Sequence, residues 1–171
     1  KAPTAPTITT FIPQMYLARN QATPVDTQSV ATNTILFLGL FPLPAQMTVN
    51  KITINVPAIT TNGTYDISLY SEDGQTQLFT VTTGTISSTG LNSVTLSTPV
   101  TLDPGNYYLT INSNGTANAN IHFWNYFQGG GGGGDALNAR TNEPTFVGTL
   151  TITASTPPTT FTPSNITAAN L

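Results

Sequence analysis

Residues Thr101–Ile111, TLDPGNYYLTI, constrain the fold more than any other stretch, because they place a chain reversal and a strand back to back. Pro104 presets φ for a turn and Gly105 can take φ > 0, so Asp103-Pro104-Gly105-Asn106 predicts a tight reversal. After it, Tyr107, Leu109 and Ile111 share one face and Tyr108 and Thr110 the other. That is the period-two pattern of a half-buried antiparallel strand. The same grammar recurs from residue 35 to residue 154.

Ile35–Phe41 is a continuous apolar run closed by Pro42 and Pro44, which predicts a strand buried on both faces or lying at a subunit boundary. In Met47–Val56, Ile52, Ile54 and Val56 alternate with Lys51, Thr53 and Asn55. Val49 is out of phase with them and implies a bulge near Asn50. Asn62-Gly63 is a turn signal, and Tyr65–Tyr70 alternates with Ile67 and Leu69 inward. Ser71-Glu72-Asp73-Gly74 then closes a hairpin whose return strand is Gln77–Thr82. Ser93–Leu96 and Tyr107–Ile111 follow as strands, then Ile121–Phe127, and last Phe146–Ala154 with Phe146, Leu150 and Ile152 inward. Thr83–Gly90 and Asn112–Asn120 read as loops. The glycine run Gly129–Gly134 is either a loop or backbone passing close to another surface.

About eight short strands with turn signals between them and no helical periodicity predict an all-β, antiparallel two-sheet sandwich. Eight is the strand count of a single jelly roll, although an immunoglobulin-like sandwich leaves a similar trace. Residues 34–154 form this β-sandwich domain. Residues 1–33 read as an extended N-terminal arm, whose apolar Phe11, Ile12, Met15, Tyr16 and Leu17 are candidate contacts with its own domain or with a neighbour. Residues 155–171 are a Pro/Thr-rich tail in which Pro157, Pro158 and Pro163 oppose ladder pairing. The tail is expected to be extended and available to a neighbour.

Only 6% of the 171 residues are charged, with 4 Lys+Arg, 7 Asp+Glu and a net charge of -3. Polarity comes instead from hydroxyls and amides: Thr alone supplies 34 residues, and its branched Cβ suits the outward face of a sheet. So little charge gives little self-repulsion, which favours association with other subunits. Four cations cannot neutralise a run of phosphates, so nucleic-acid binding is disfavoured. The absence of Cys excludes disulfides and thiolate metal sites. The apolar run Ile35–Leu43 is far short of the roughly 20 residues that span a bilayer, and no signal-peptide pattern opens the chain.

Catalytic constellations are missing. His122 is the only histidine, and no GxSxG elbow accompanies it. The carboxylates Asp66, Asp103 and Asp135 are scattered through turns and strand edges rather than paired. Glu72 and Asp73 belong to a turn and lack calcium-loop spacing, and the glycine run lacks the Lys-Ser/Thr of a phosphate loop. No catalytic residue, cofactor or metal is therefore expected. The aromatic row His122, Trp124 and Tyr126 is the candidate binding feature, either as a stacking platform for a glycan or as a contact between subunits. Asn62-Gly63-Thr64, Asn114-Gly115-Thr116 and Asn165-Ile166-Thr167 match the glycosylation acceptor pattern, which arises easily by chance in so Thr- and Asn-rich a chain.

From Asn33 to Gly148, ILFLGLFPLP leads into MTVNKITINV, GTYDISLYSEDGQ and VTLSTPVTLDPGNYYLTI, and then into an aromatic strand. This order resembles the jelly-roll β-sandwich virion proteins of bacteriophages, which include capsid subunits, head decorations and tail-fibre domains. Gly63–Gly74 and Pro99–Ile111 carry most of the likeness. The resemblance implies a non-enzymatic structural protein of the virion, most simply a capsid or capsid-associated subunit that assembles with copies of itself and other virion proteins. It also leaves open a carbohydrate- or receptor-binding β-sandwich of a tail appendage, with a host-surface glycan as partner. A third alternative is an extracellular filament subunit assembled by strand donation.

Overall fold

The computed structural model describes residues 8–11, 14–15, 25–43, 45–124, 145–153 and 156–168. Among them the chain is all-β, with one short 3-10 turn at Pro163–Asn165 and no α-helix. The strands are β1 (Ile8–Phe11), β2 (Gln14–Met15), β3 (Val25–Val30), β4 (Ile35–Leu43), β5 (Met47–Val56), β6 (Ala58–Thr61) and β7 (Thr64–Ser71). They continue with β8 (Gln77–Thr82), β9 (Gly90–Leu102), β10 (Gly105–Asn114), β11 (Asn118–Trp124), β12 (Thr145–Thr151) and β13 (Thr167–Ala168).

The larger sheet runs β3-β11-β12-β4-β10-β7-β8, with β6 attached to β11 and β13 to β12. In the smaller sheet β5 is flanked by β9 and by the two short strands β1 and β2. Most pairs are antiparallel; β11 runs parallel to β12, and β1 and β2 run parallel to β5. One buried cluster draws on both sheets, with Met47, Val49, Ile52, Ile54, Val56, Leu96 and Leu102 from the smaller sheet. The larger sheet contributes Phe37, Phe41, Leu43, Tyr65, Ile67, Leu69, Leu109, Ile111 and Ile121 among others.

The phase break at Val49 has the expected consequence. Val49 pairs with Val100 while Lys51 pairs with Thr95, so the register shifts at Asn50 and lets both Val49 and Ile52 reach the core. The extra residues lie on the partner strand, at Leu96–Pro99, where Pro99 has no N–H to leave unpaired. β9 accordingly runs on to Leu102, well past the expected end at Leu96.

The reversal at Asp103–Asn106 differs from expectation. Gly105 is not among the positive-φ glycines, and it opens β10 paired with Leu43. The reason is topological: β9 and β10 belong to different sheets, so the link rounds a corner between layers instead of folding back within one. Gln46, just ahead of β5, lies beside it, and its Nε2 donates to Asp103 Oδ1 at 2.8 Å. Tyr107 OH donates to Asp103 O at 2.7 Å and secures the same corner.

β7 and β10 were expected to be half-buried, yet both are covered on two faces: Asp66, Ser68, Tyr70, Thr110 and Asn112 are as buried as Ile67 and Leu109. A second cluster on the outer face of the larger sheet accounts for part of this, formed by Leu36, Leu38, Tyr70, Leu150, Ile152 and Phe161. Leu150 and Ile152 thus face this outer cluster rather than the inter-sheet core, with β12 changing register between Phe146 and Gly148.

Candidate assembly surfaces

β9 occupies one edge of β5, and the N-terminal arm takes the other. Ile8 pairs with Met47, Phe11 with Val49, Gln14 with Thr53 and Met15 with Ile54, all parallel. Two of the candidate arm residues, Phe11 and Met15, are therefore placed on β5 through their backbone, whereas Ile12, Tyr16 and Leu17 lie outside the described residues. Main-chain pairing of this kind asks little of side chains, so any extended segment of suitable length can be received.

β9 has no strand partner other than β5 among the described residues, and Gly90–Leu102 contains no charged residue. Leu91, at its start, is 55% exposed. Across β5 and β9, hydroxyls pair directly: Thr48 Oγ1 with Thr101 Oγ1 at 3.1 Å and Thr53 Oγ1 with Ser93 Oγ at 2.8 Å. Lys51 is the only cation among the described residues.

The exposed acids Glu72, Asp73 and Asp103 gather at one end of the molecule, where the β7–β8 turn meets the β9–β10 corner. Asn106 Nδ2 donates to Glu72 Oε1 at 2.8 Å and links the two. Within the turn, the Ser71 hydroxyl and the Gln75 N–H both donate to Asp73 Oδ1, at 2.6 and 2.9 Å, and hold its carboxyl below its ordinary pKa. Burial raises the Tyr107 and Tyr108 phenols, with the negative charges of Asp103 and Glu72 adding to it.

Asp66 is buried elsewhere, on β7, accepting from Thr82 Oγ1 at 2.5 Å and from Asn114 Nδ2 at 3.3 Å. These carboxylates explain themselves as turn and hydrogen-bonding groups. No group of three or more His, Cys, Asp or Glu able to hold a metal occurs among the described residues. Nor is any helix among them long and apolar enough to cross a membrane.

Of the aromatic row, His122 and Trp124 are placed by backbone pairing on β11, His122 opposite Thr27 and Trp124 opposite Val25 and Thr145. Tyr126 and the run Gly129–Gly134 lie outside the described residues.

Sequence reasoning missed the surface that is built in most detail. Residues 156–168 lie across the outer face of the larger sheet, with Phe161 buried between Tyr70 and Tyr108. Tyr70 OH donates to Pro158 O at 2.6 Å, Gln75 Nε2 donates to Phe161 O at 2.9 Å, and the Phe161 N–H donates to Gly74 O at 2.9 Å. Burial raises the Tyr70 phenol, partly offset by its hydrogen bonds with Gln77 and Ser68. The available signal was Tyr70 and Tyr108 themselves, two large aromatics on strand faces that alternation assigns to solvent. Compared with known proteins, the chain matches no family model and no curated protein.

Proposed function

We propose that the protein is a non-enzymatic structural subunit of a bacteriophage virion, capsid or capsid-associated, that acts by self-assembly of a jelly-roll-like sandwich. The observation that carries this reading is the placement of charge. Glu72, Asp73 and Asp103, which are exposed, sit together at one end, Asp66 is buried, and Lys51 is the only charge on the outward face of the β5–β9 sheet among the described residues. The β5–β9 side of the molecule presents hydroxyls, amides and an uncharged strand edge, a surface that packs against copies of itself with little charge to desolvate. Binding between such surfaces draws on apolar contact and main-chain hydrogen bonds. Sedimentation velocity on the full chain should then show large assemblies that persist from roughly 50 to 500 mM salt and are strengthened by sulfate. A chain that stays monomeric at its highest soluble concentration would overturn the proposal.

The parallel pairing of β1 and β2 with β5 supports a second reading, a filament subunit whose arm is donated to the next copy. Removing residues 1–17, which leaves β3 in place, should abolish polymerisation while the domain stays folded. Unimpaired filaments would exclude that version.

A further inference from the structure

We propose that the outer face of the larger sheet is a peptide-recognition groove whose ligand is the segment 156–168, and that in an assembly it receives this segment from a second copy. The second half of the proposal rests on the self-assembly reading and deepens it. The groove reads the main chain of its ligand with side chains: Tyr70 OH and Gln77 Nε2 donate to Pro158 O at 2.6 and 3.4 Å, and Gln75 Nε2 donates to Phe161 O at 2.9 Å. It holds one anchor, Phe161, 7% exposed and edge-on to Tyr70 and Tyr108 with ring centroids 5.0 and 5.4 Å apart.

Two glycines make room for it. A Cβ at Gly74 would overlap the carbonyl oxygen of Phe161, and a Cβ at Gly148 would overlap that of Thr167. Beyond the anchor, β13 adds to β12 as an antiparallel strand, Gly148 opposite Ala168 and Thr149 opposite Thr167. Backbone reading, a single aromatic pocket and strand addition together are the devices by which proteins bind extended peptides. Pro157, Pro158 and Pro163 hold the ligand near its bound shape and lower the cost of ordering it. Every copy carries both groove and ligand, so an exchange between copies keeps all these contacts, and its balance against the internal arrangement is set by effective concentration.

The test uses two full-length variants. Phe161→Ala keeps the groove and damages the ligand; Gly74→Ala obstructs the groove and keeps the ligand. By fluorescence anisotropy, a fluorescein-labelled 156–168 peptide should bind Phe161→Ala at least tenfold more tightly than wild type, whose groove its own segment fills. The same peptide with Ala in place of Phe161 should bind at least tenfold more weakly. Mixed one to one, the two variants should form a heterodimer by native mass spectrometry that neither forms alone.

Should Gly74→Ala fail to fold by circular dichroism, Tyr70→Phe with Gln75→Ala removes groove donors instead and serves in its place. No peptide binding to folded Phe161→Ala overturns the groove, and peptide binding without a mixed complex overturns the second copy as partner. Assembly of wild type is scored separately: a monomeric wild type alongside peptide binding sinks the structural-subunit reading and leaves the groove standing.

Discussion

Removing the same atom from two tyrosines on one strand should move stability in opposite directions. Tyr65 and Tyr70 are both fully buried on β7. The Tyr65 hydroxyl lies in the inter-sheet core with no hydrogen-bond partner among the described residues, whereas Tyr70 OH donates to Pro158 O at 2.6 Å and accepts from Gln77 Nε2 at 3.1 Å. An unmet buried hydroxyl costs about 1–3 kcal/mol of desolvation, while a made hydrogen bond contributes a net of roughly 1 kcal/mol. Tyr65→Phe should therefore stabilise by about 1 kcal/mol and Tyr70→Phe destabilise by about 1–2 kcal/mol. For a chain of this size those changes correspond to melting shifts of ~2–4 °C per kcal/mol.

The comparison extends to alkaline pH. Burial pushes the Tyr65 phenol up to about 12 from 10.0, so above pH 10 the unfolded chain releases a proton that the native chain keeps. Stability is full below pH 10 and declines as pH rises toward 12, and the advantage of Tyr65→Phe should widen across that window. Urea unfolding of the three proteins at pH 7 and pH 11 measures all of this. A loss of more than about 1 kcal/mol in Tyr65→Phe at pH 7 would mean that its hydroxyl is bonded after all, and would refute the reasoning.

Gly63 faces Ala117 so closely that a Cβ would overlap the alanine's own, so Gly63→Ala should cost about 1–3 kcal/mol by overpacking, read from the urea midpoint. The Asp73 carboxyl should titrate below its ordinary 3.8 when followed by carbonyl chemical shifts, and Ser71→Ala should raise its midpoint because the largest stabilising bond is lost. The contribution of Asp73 to stability is present above the ordinary value and is lost as pH falls through the lowered one.

Strand existence was legible because alternation is a local property. The phase of Val49 against Ile52 even located the register shift at Asn50, since both residues had to reach one core. Sheet membership was not legible. β5 and β10 alternate alike, and nothing in TLDPGNYYLTI distinguishes a reversal in one sheet from a corner between two. Alternation also reports that two faces differ, not that one is wet: Asp66 and Ser68 alternate with Ile67 and Leu69, and Thr110 with Leu109, yet all of them are buried. β1, β2, β6 and β13 pair largely through the main chain and leave little trace in side-chain pattern. The groove went unseen for a related reason: three prolines near Phe161 advertise a segment that makes no ladder, and its contacts are mostly to carbonyls that every residue has.

The two long strands of the smaller sheet, β5 and β9, are tied to the larger one by short links. Pro57 and the short step from Leu43 to Met47 hold β5, and Asp103-Pro104 holds the far end of β9; only residues 83–89 leave slack. A residue gained or lost within β5 has nowhere to go through such short links. Natural variation in length should therefore collect at 83–89 and in the exposed extra residues Ser97–Pro99, leaving the spacing between the tethers unchanged.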